Sequence, residues 1–328
     1  MALTADTATF AGRLTDLQGP RIVETKDRWY EGTRLVGLSR FAIAITALNV
    51  LGHLFLGFEQ SWLTPFVALA AAYGTEITGE YLDARASGRS PAYAGSAMHL
   101  VRFLLSAHIT GLAVGMLLYA AEQLWVIAFA ASAAVASKYI FRLATGDIYR
   151  PTGSRHFLNP SNLGISLALV LFPSVGIAPP YQFSENISGI VDWLLPLVVI
   201  CTGSYLNLKA TKRMPLILAW MLAFVLQALI RSALNGTPLV AALMPMTGFA
   251  FILFSFYMIT DPATSPSRPM HQVLFAAAVA TAYGAFMQLH IVFGLFYALT
   301  AVCVVRGFVI WFGRTFPTEE QVRREPAE

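Results

Sequence analysis

Two short runs place an amide or carboxylate directly before proline. One is Asn159-Pro160-Ser161-Asn162-Leu163-Gly164, reached through a basic loop that contains Arg150, Arg155 and His156. The other is Thr260-Asp261-Pro262-Ala263-Thr264-Ser265-Pro266. An Asn or Asp side chain accepts from the N–H groups that open a helix, and proline suits the first helical position. Taken singly, each motif need only start a helix. Taken together they predict two positive helix ends with N–H groups available to an anionic group such as a phosphate. Asn159, Asn162, Asp261 and Thr264 would shape that pocket, with Arg150, Arg155 and Arg268 offering positive charge.

A second set of candidates is ionisable and lies inside apolar sequence, where an unpaired charge is costly. Glu76 and Glu80 are one helical turn apart on one face. They suit cation binding, proton relay, or pairing with a base such as Lys138 or Arg102. For Glu80, followed by Asp83 and Arg85, a place at the water interface is the plainer reading. His99 and His108 are about 13 Å apart along a helix and on opposite faces, so they cannot clasp one haem. His108, with Ser106 and Thr110 close by, is the deeper one. It suits contact with a quinone or flavin, set against the commoner role of a core histidine bonded to backbone. Cys201 and Cys303 offer a dithiol in principle, though buried cysteine usually acts as a small hydrophobe. The chain has no CxxC, zinc spacing, P-loop, GxGxxG, HExxH or serine-triad arrangement.

These residues have to be positioned by helices that cross a bilayer. Hydrophobic residues make up 56% of the chain, charged residues 12%, and mean hydropathy is +0.61. Apolar stretches fall at roughly 36–57, 62–80, 99–120, 122–143, 159–178, 188–208, 214–232, 239–260, 272–290 and 291–312. Each approaches the ~20 residues a bilayer core requires. Basic residues gather before the first stretch and after the second, fourth, sixth, eighth and tenth, while the opposite side carries only Arg231. That alternation predicts an all-α integral membrane protein of about ten transmembrane helices in a bacterial inner membrane, with both termini cytoplasmic. The net charge of +4 then speaks of orientation and anionic lipid, not of nucleic acid.

Cut five and five, the stretches predict two halves in opposite orientation, an inverted repeat. Residues 1–33 read as a cytoplasmic arm without a cleavable signal, 34–314 as one membrane domain, and 315–328 as a polar cytoplasmic tail. Gly111 and Gly115 form a GxxxG pattern suited to close helix packing.

The two proline motifs also carry a resemblance. Asn159-Pro160 to Gly164, followed by an apolar helix ending near Phe172-Pro173, resembles the NPA-x-x-G…FP segment of the RnfD/NqrB family. Those proteins are membrane subunits of ion-translocating electron-transport complexes. The run from Met258 to Pro266 resembles the family's F-x-A-T-D-P-V-T-S-P segment. Gly203-Ser204-Tyr205-Leu206, the Lys212-Arg213 turn and Thr75-Glu76 match it in pattern, so the likeness spans most of residues 36–312. Ser106 to Gly111 and Arg155 to Asn162 are most similar to the stand-alone UnbU branch, named for enediyne biosynthesis clusters.

The resemblance implies a membrane redox protein that moves electrons through a flavin or quinone. It implies a redox partner on the cytoplasmic side, or service to a biosynthetic pathway such as that for enediynes. His108 and Glu76 would line the deeper end of the pocket. One departure matters. The family carries FMN covalently on a threonine of an S/T-x-A-T motif after the NP helix, and the corresponding stretch here, 174–189, contains no threonine. Covalent FMN is therefore not expected, and any flavin or quinone would be held noncovalently. Ser184 and Ser188 offer hydroxyls without the motif. The departure keeps a second reading open: a permease or channel for a small molecule or ion on the same inverted-repeat fold. A scaffold anchoring soluble enzymes through its basic loops is a third.

Overall fold

The computed structural model describes residues 21–146, 151–179, 186 and 188–315. Residues 1–20 of the arm, Arg150 of the basic loop, Ser184 and the tail from Phe316 lie outside them. The described residues divide into two compact units, one within 1–41 and one within 42–328.

The described chain is mostly helical. Helix α1 (Arg21–Leu51) starts well before the first apolar stretch, so residues 21–33 of the arm are helical. Helix α1 passes into a π-helical turn, Gly52–Leu56, that stops at Gly57 with φ +94°. A residue with a side chain rarely adopts that angle, so glycine is required there. Then follow α2 (Thr64–Ala86), α3 (Ala97–Leu117), α4 (Leu124–Ile140), α5 (Pro160–Leu171), α6 (Ile190–Lys209) and α7 (Met214–Asn235). Proline at the first turn opens α2, α5 and α7, and the Ser96 hydroxyl accepts from His99 N–H to open α3.

The eighth apolar stretch is broken. Helix α8 (Leu239–Leu243) runs into a 3₁₀ turn at Met244–Thr247, and α9 (Phe249–Leu253) runs into a π-helical turn at Phe254–Met258. The two pieces bend by 66° about Gly248, whose extended backbone interrupts the helical ladder. Helices α10 (Pro269–Gln288) and α11 (Gly294–Thr315) complete the set.

Five helical segments are long and apolar enough to cross a membrane: Leu35–Leu56, Ala97–Leu117, Met214–Asn235, Pro269–Gln288 and Gly294–Thr315. The bent pair makes a sixth if it counts as one span, and Leu124–Ile140, Pro160–Leu171 and Trp193–Lys209 are shorter apolar helices. Helix α2 is set apart by Glu76, Glu80, Asp83 and Arg85 in its C-terminal half. The chain is thus an all-α membrane protein in its main architecture.

The basic loop before α5 is not irregular. Strands β2 (Arg142–Gly146) and β3 (Pro151–His156) pair antiparallel, Arg142 opposite His156 and Thr145 opposite Gly153, with a register shift at Thr145/Gly146. A two-residue bridge, β1 (Leu118–Tyr119) with β4 (Gly176–Ile177), ties the end of α3 to the segment after α5.

Two helix pairs run parallel. In one, Glu76, Gly79 and Asp83 of α2 meet Lys138, Tyr139 and Arg142 in and just after α4, in the same order along both. In the other, Gln272 bonds the Lys212 carbonyl at one end of α7 and α10, and Asn235 bonds Gln288 at the other. Helix α5 runs antiparallel to α11: Phe157 packs on Gly307, Asn162 on Phe296 and Thr300, and Phe293 near Gly176. Small residues allow these approaches. A Cβ at Gly111 would stand 3.0 Å from the Ala68 carbonyl oxygen and the Ala72 Cβ, so the GxxxG pattern is spent on packing α3 against α2.

Candidate functional site

The two proline motifs meet, but not as two helix N-termini. Asn159 does cap α5: its Oδ1 accepts from Asn162 N–H at 3.0 Å, with Pro160 at the first helical position. Asp261-Pro262 opens no helix. It forms a turn after the π-helical segment, and the next helix starts only at Pro269. The Asp261 carboxylate is spent on its own turn, accepting from Ala263 N–H and from the Thr264 hydroxyl, each at 3.0 Å. A short polar side chain that bonds the backbone two residues on favours such a turn over a helix.

Cross-links then clasp the two motifs. Asn159 Nδ2 donates to the Met258 carbonyl at 3.1 Å, and the Arg155 guanidinium donates to the Pro262 carbonyl. Arg306 of α11 donates to the Thr264 carbonyl at 2.7 Å. Arg213, at the start of α7, donates to the Ser265 hydroxyl at 2.8 Å. Asn207 of α6 donates to the Phe256 carbonyl at 2.9 Å. Carbonyls freed where the eighth stretch unwinds are thus taken up by side chains, as backbone buried away from water requires. Three guanidinium groups surround the turn against one carboxylate.

The clasp sits level with the middle of α11, between Thr300 and Arg306. The reason is that α5 has 12 residues, about 18 Å, too short to reach from edge to edge. One acceptor at this level has no partner among the described residues. Asn162, 1% exposed, donates Nδ2 to the Phe296 carbonyl and to Thr300 Oγ1, and its Oδ1 is buried and unbonded.

A second polar cluster lies in α2, α3 and α4. Of the two bases suggested for Glu76, Lys138 is its partner, at 2.5 Å with both side chains 8% exposed. Arg102 is exposed. Lys138 Nζ also reaches Ser106 Oγ at 3.4 Å, and the Tyr139 hydroxyl donates to the Glu76 carbonyl at 3.2 Å. Glu80 is buried and not at an open water interface. It pairs with Arg89 and accepts from Ala92 N–H at 2.7 Å. Arg89 and Arg142 both bond Asp83, and the Arg89 hydrogen bond holds that carboxyl below its ordinary range.

His108 belongs to this cluster and is fully bonded. Its Nε2 lies 2.7 Å from the Thr46 hydroxyl, and its Nδ1 lies 2.6 Å from the Tyr73 hydroxyl. Thr46 gives its one hydroxyl proton to the Ala42 carbonyl at 2.7 Å, so it accepts from His108 Nε2–H. Nδ1 then accepts from Tyr73, and the imidazole is neutral. The partners are side chains and not the backbone carbonyl that the sequence suggested, and neither nitrogen is left for a metal.

His156 links the two clusters, a role the sequence reading did not give it. At the end of β3 it feels the charges of Asp261, Lys138 and Arg142, while burial keeps its imidazole below the ordinary pKa. Arg306 and Asn207 were missed as well, because nothing in their local sequence marks them, and Arg213 entered only through the pattern of the Lys212-Arg213 turn. The cysteines are both free, Cys303 buried and Cys201 exposed. Among the described residues no three His, Cys, Asp or Glu side chains come together as metal ligands.

No family model matches the chain, and no curated protein matches it.

Proposed function

We propose that this chain is a ten-span inner-membrane redox protein of the RnfD/NqrB type, built from two inverted halves, that holds a flavin or quinone noncovalently beside its clasped proline motifs. One observation carries the reading. The two segments on which the resemblance rests, far apart in sequence, are joined through Asn159 and the Met258 carbonyl and share a ring of arginines. Interrupted helices that meet inside a membrane bundle are where such proteins build sites. The two parallel pairs, α2 with α4 and α7 with α10, support the inverted halves. Each joins the second and fourth helical stretches of its five.

A covalent flavin does not fit, since 174–189 has no threonine to bear it. A noncovalent group would find one buried acceptor. Asn162 Oδ1 is a buried acceptor without a donor, and it would take an N–H of a flavin or an O–H of a reduced quinone. Arg155, Arg213 and Arg306 hold the turn and favour negative charge beside it. Bound there, the group would supply one- or two-electron transfer. Glu76, Lys138 and His156 would be the chain's own groups for holding a proton or charge. The electrons would pass to or from an oxidoreductase on the cytoplasmic face, in electron transport or in a biosynthetic pathway such as enediyne assembly.

The test is an absorption and fluorescence spectrum of detergent-purified protein before and after acid denaturation. Flavin released into the supernatant, or quinone in a solvent extract, at near one per chain and lost in Asn162→Leu, is the expected result. Flavin that stays on the denatured chain overturns the noncovalent assignment. A colourless protein with no extractable quinone overturns the redox reading. The second reading, a permease, is favoured by the buried Glu76–Lys138 pair, because ionisable groups inside a bundle commonly mark ion or substrate paths. It predicts solute flux in liposomes from that colourless protein.

A further inference from the structure

The C-terminal ends of the parallel pair α7 and α10 line an open cavity of about 520 Å³, formed by Arg231, Asn235, Thr237, Met287, Gln288 and His290. None of these residues belongs to the clasp or to the charged cluster of α2 and α4. Five of the six are polar, and no carboxylate is among them.

Arg231 is the one base on its side in the ten-span reading, where the bias of basic residues toward the cytoplasm disfavours it. Its one hydrogen bond is to Gln227 Oε1, at a long 3.4 Å, and it makes no ion pair among the described residues. The plain role of a cation there would be to neutralise helix-end carbonyls. Four carbonyls at these two helix ends are already taken. Gly236 N–H serves Ser232, Leu289 serves Ala285, Ile291 serves Phe286 and His290 serves Met287, at 2.8–3.2 Å. The guanidinium therefore keeps donors to spare.

The surrounding donors are fixed in place. Asn235 and Gln288 bond each other through both amides, at 2.6 and 3.0 Å, which leaves each a second N–H. His290 stands at φ +57°, a left-handed conformation disfavoured for a residue with a side chain, at the turn that brings its ring to the cavity.

We propose that this cavity binds an oxyanion, the phosphate or carboxylate of a ligand held by Arg231 with the Asn235 and Gln288 amides and the Thr237 hydroxyl. A planar guanidinium flanked by neutral donors is suited to that geometry. Two sources present the same chemistry: an anionic lipid headgroup and a soluble phosphate or carboxylate. Exposed Leu234 and Leu289 flank the mouth, where lipid chains would lie. The proposal stands whether or not the chain carries electrons.

The test follows thermal unfolding of the full-length protein in detergent. One arm adds inorganic phosphate or acetate at constant ionic strength, with chloride as reference. The other adds phosphatidylglycerol, with phosphatidylcholine as reference. Arg231→Gln, Arg231→Lys and, as a control at the other end of the molecule, Arg85→Gln are measured alongside. A saturable rise in Tm is expected in at least one arm, weakened roughly tenfold or more in apparent Kd by Arg231→Gln. It should be partly restored in Arg231→Lys and unchanged in Arg85→Gln. A rise with phosphate or acetate assigns a soluble ligand, and one with phosphatidylglycerol alone assigns the headgroup. No rise in the unaltered protein in either arm overturns the proposal. So does a rise that Arg231→Gln leaves intact, because the basic loops would then account for it.

Discussion

The two parallel helix pairs solve one packing problem with opposite chemistry. Helices α2 and α4 are joined toward their C-terminal ends by charge, Glu76 to Lys138 inside the bundle and Asp83 to Arg142 toward the rim, while Arg89, just after α2, folds back on Glu80 and Asp83. Helices α7 and α10 contain no carboxylate. Their seam is filled by Trp220, Phe224 and Tyr283, with Phe251 and Phe254 of the bent stretch packed on the rings, and closed by the Asn235–Gln288 amides. Lipid offers helices no hydrophobic drive to associate, so close packing and polar contacts must hold each pair. Aromatic packing serves that purpose without desolvating ions. The presence of a buried ion pair on one side only argues that it is kept for something other than stability.

Removing half of the pair should give the largest effect. Lys138→Ala leaves Glu76 buried and uncompensated, and it is expected to cost about 3–5 kcal/mol in unfolding measurements in detergent. Replacing both together, Glu76→Leu with Lys138→Met, should restore most of that loss, because well-packed apolar residues often match a buried pair. If the double variant is stable yet has lost flux or electron transfer, the pair is functional. If it is stable and fully active, the contrast between the two seams is only a difference of packing style.

That contrast was partly legible beforehand. A base for Glu76 was legible only as Lys138 or Arg102, beside cation binding and proton relay, because an unpaired charge in apolar surroundings is costly and few bases lie nearby. The Asn159 cap was legible for a local reason: an amide before proline has one good use at a helix start. Each of the ten apolar stretches holds a helical segment. The Asp261 turn was not legible, because the same dipeptide serves caps and turns alike and the choice fell to Thr264, Ser265 and the distant Arg306. The π-helical turns, the bend at Gly248 and the bonding of His108 by Thr46 and Tyr73 depend on neighbours far along the chain. Periodicity carries no record of them.

Close approach separates the pairs next. A methyl at Gly79 would stand 2.6 Å from the Tyr139 ring, which its hydroxyl bond to the Glu76 carbonyl holds in place. Gly79→Ala should cost about 1–3 kcal/mol. At Gly284 the nearest atom is Gln227 Oε1 at 3.3 Å, the end of a side chain that can turn aside. Gly284→Ala should cost under about 1 kcal/mol, offset in part by the better helix propensity of alanine. Equal losses in thermal unfolding would break the comparison. Within the aromatic seam, Trp220→Phe keeps a ring but removes the Nε1–H bond to Ser255 at 2.9 Å. A loss of about 1 kcal/mol is expected.

The smallest effect should lie at the rim of α2, and its pH dependence identifies it. Asp83 is 35% exposed and bonds Arg89 at 2.6 Å and Arg142 at 3.2 Å. The Arg89 hydrogen bond comes first among the causes that lower its pKa. A carboxyl depressed in the folded state stabilises the protein above its ordinary pKa, and that stabilisation fades as pH falls through the depressed value. With both partners open to solvent, Asp83→Asn should cost only about 0.2–1 kcal/mol near neutral pH, and less at high salt. The gap between variant and parent should close below the ordinary carboxyl value of about 3.9. Arg231→Gln, on the helix pair without carboxylates, should show a difference from the parent that does not change across the same acid range. If Asp83→Asn behaves as flatly as Arg231→Gln, charge does not hold the rim of α2 and α4, and the buried pair alone separates the two seams.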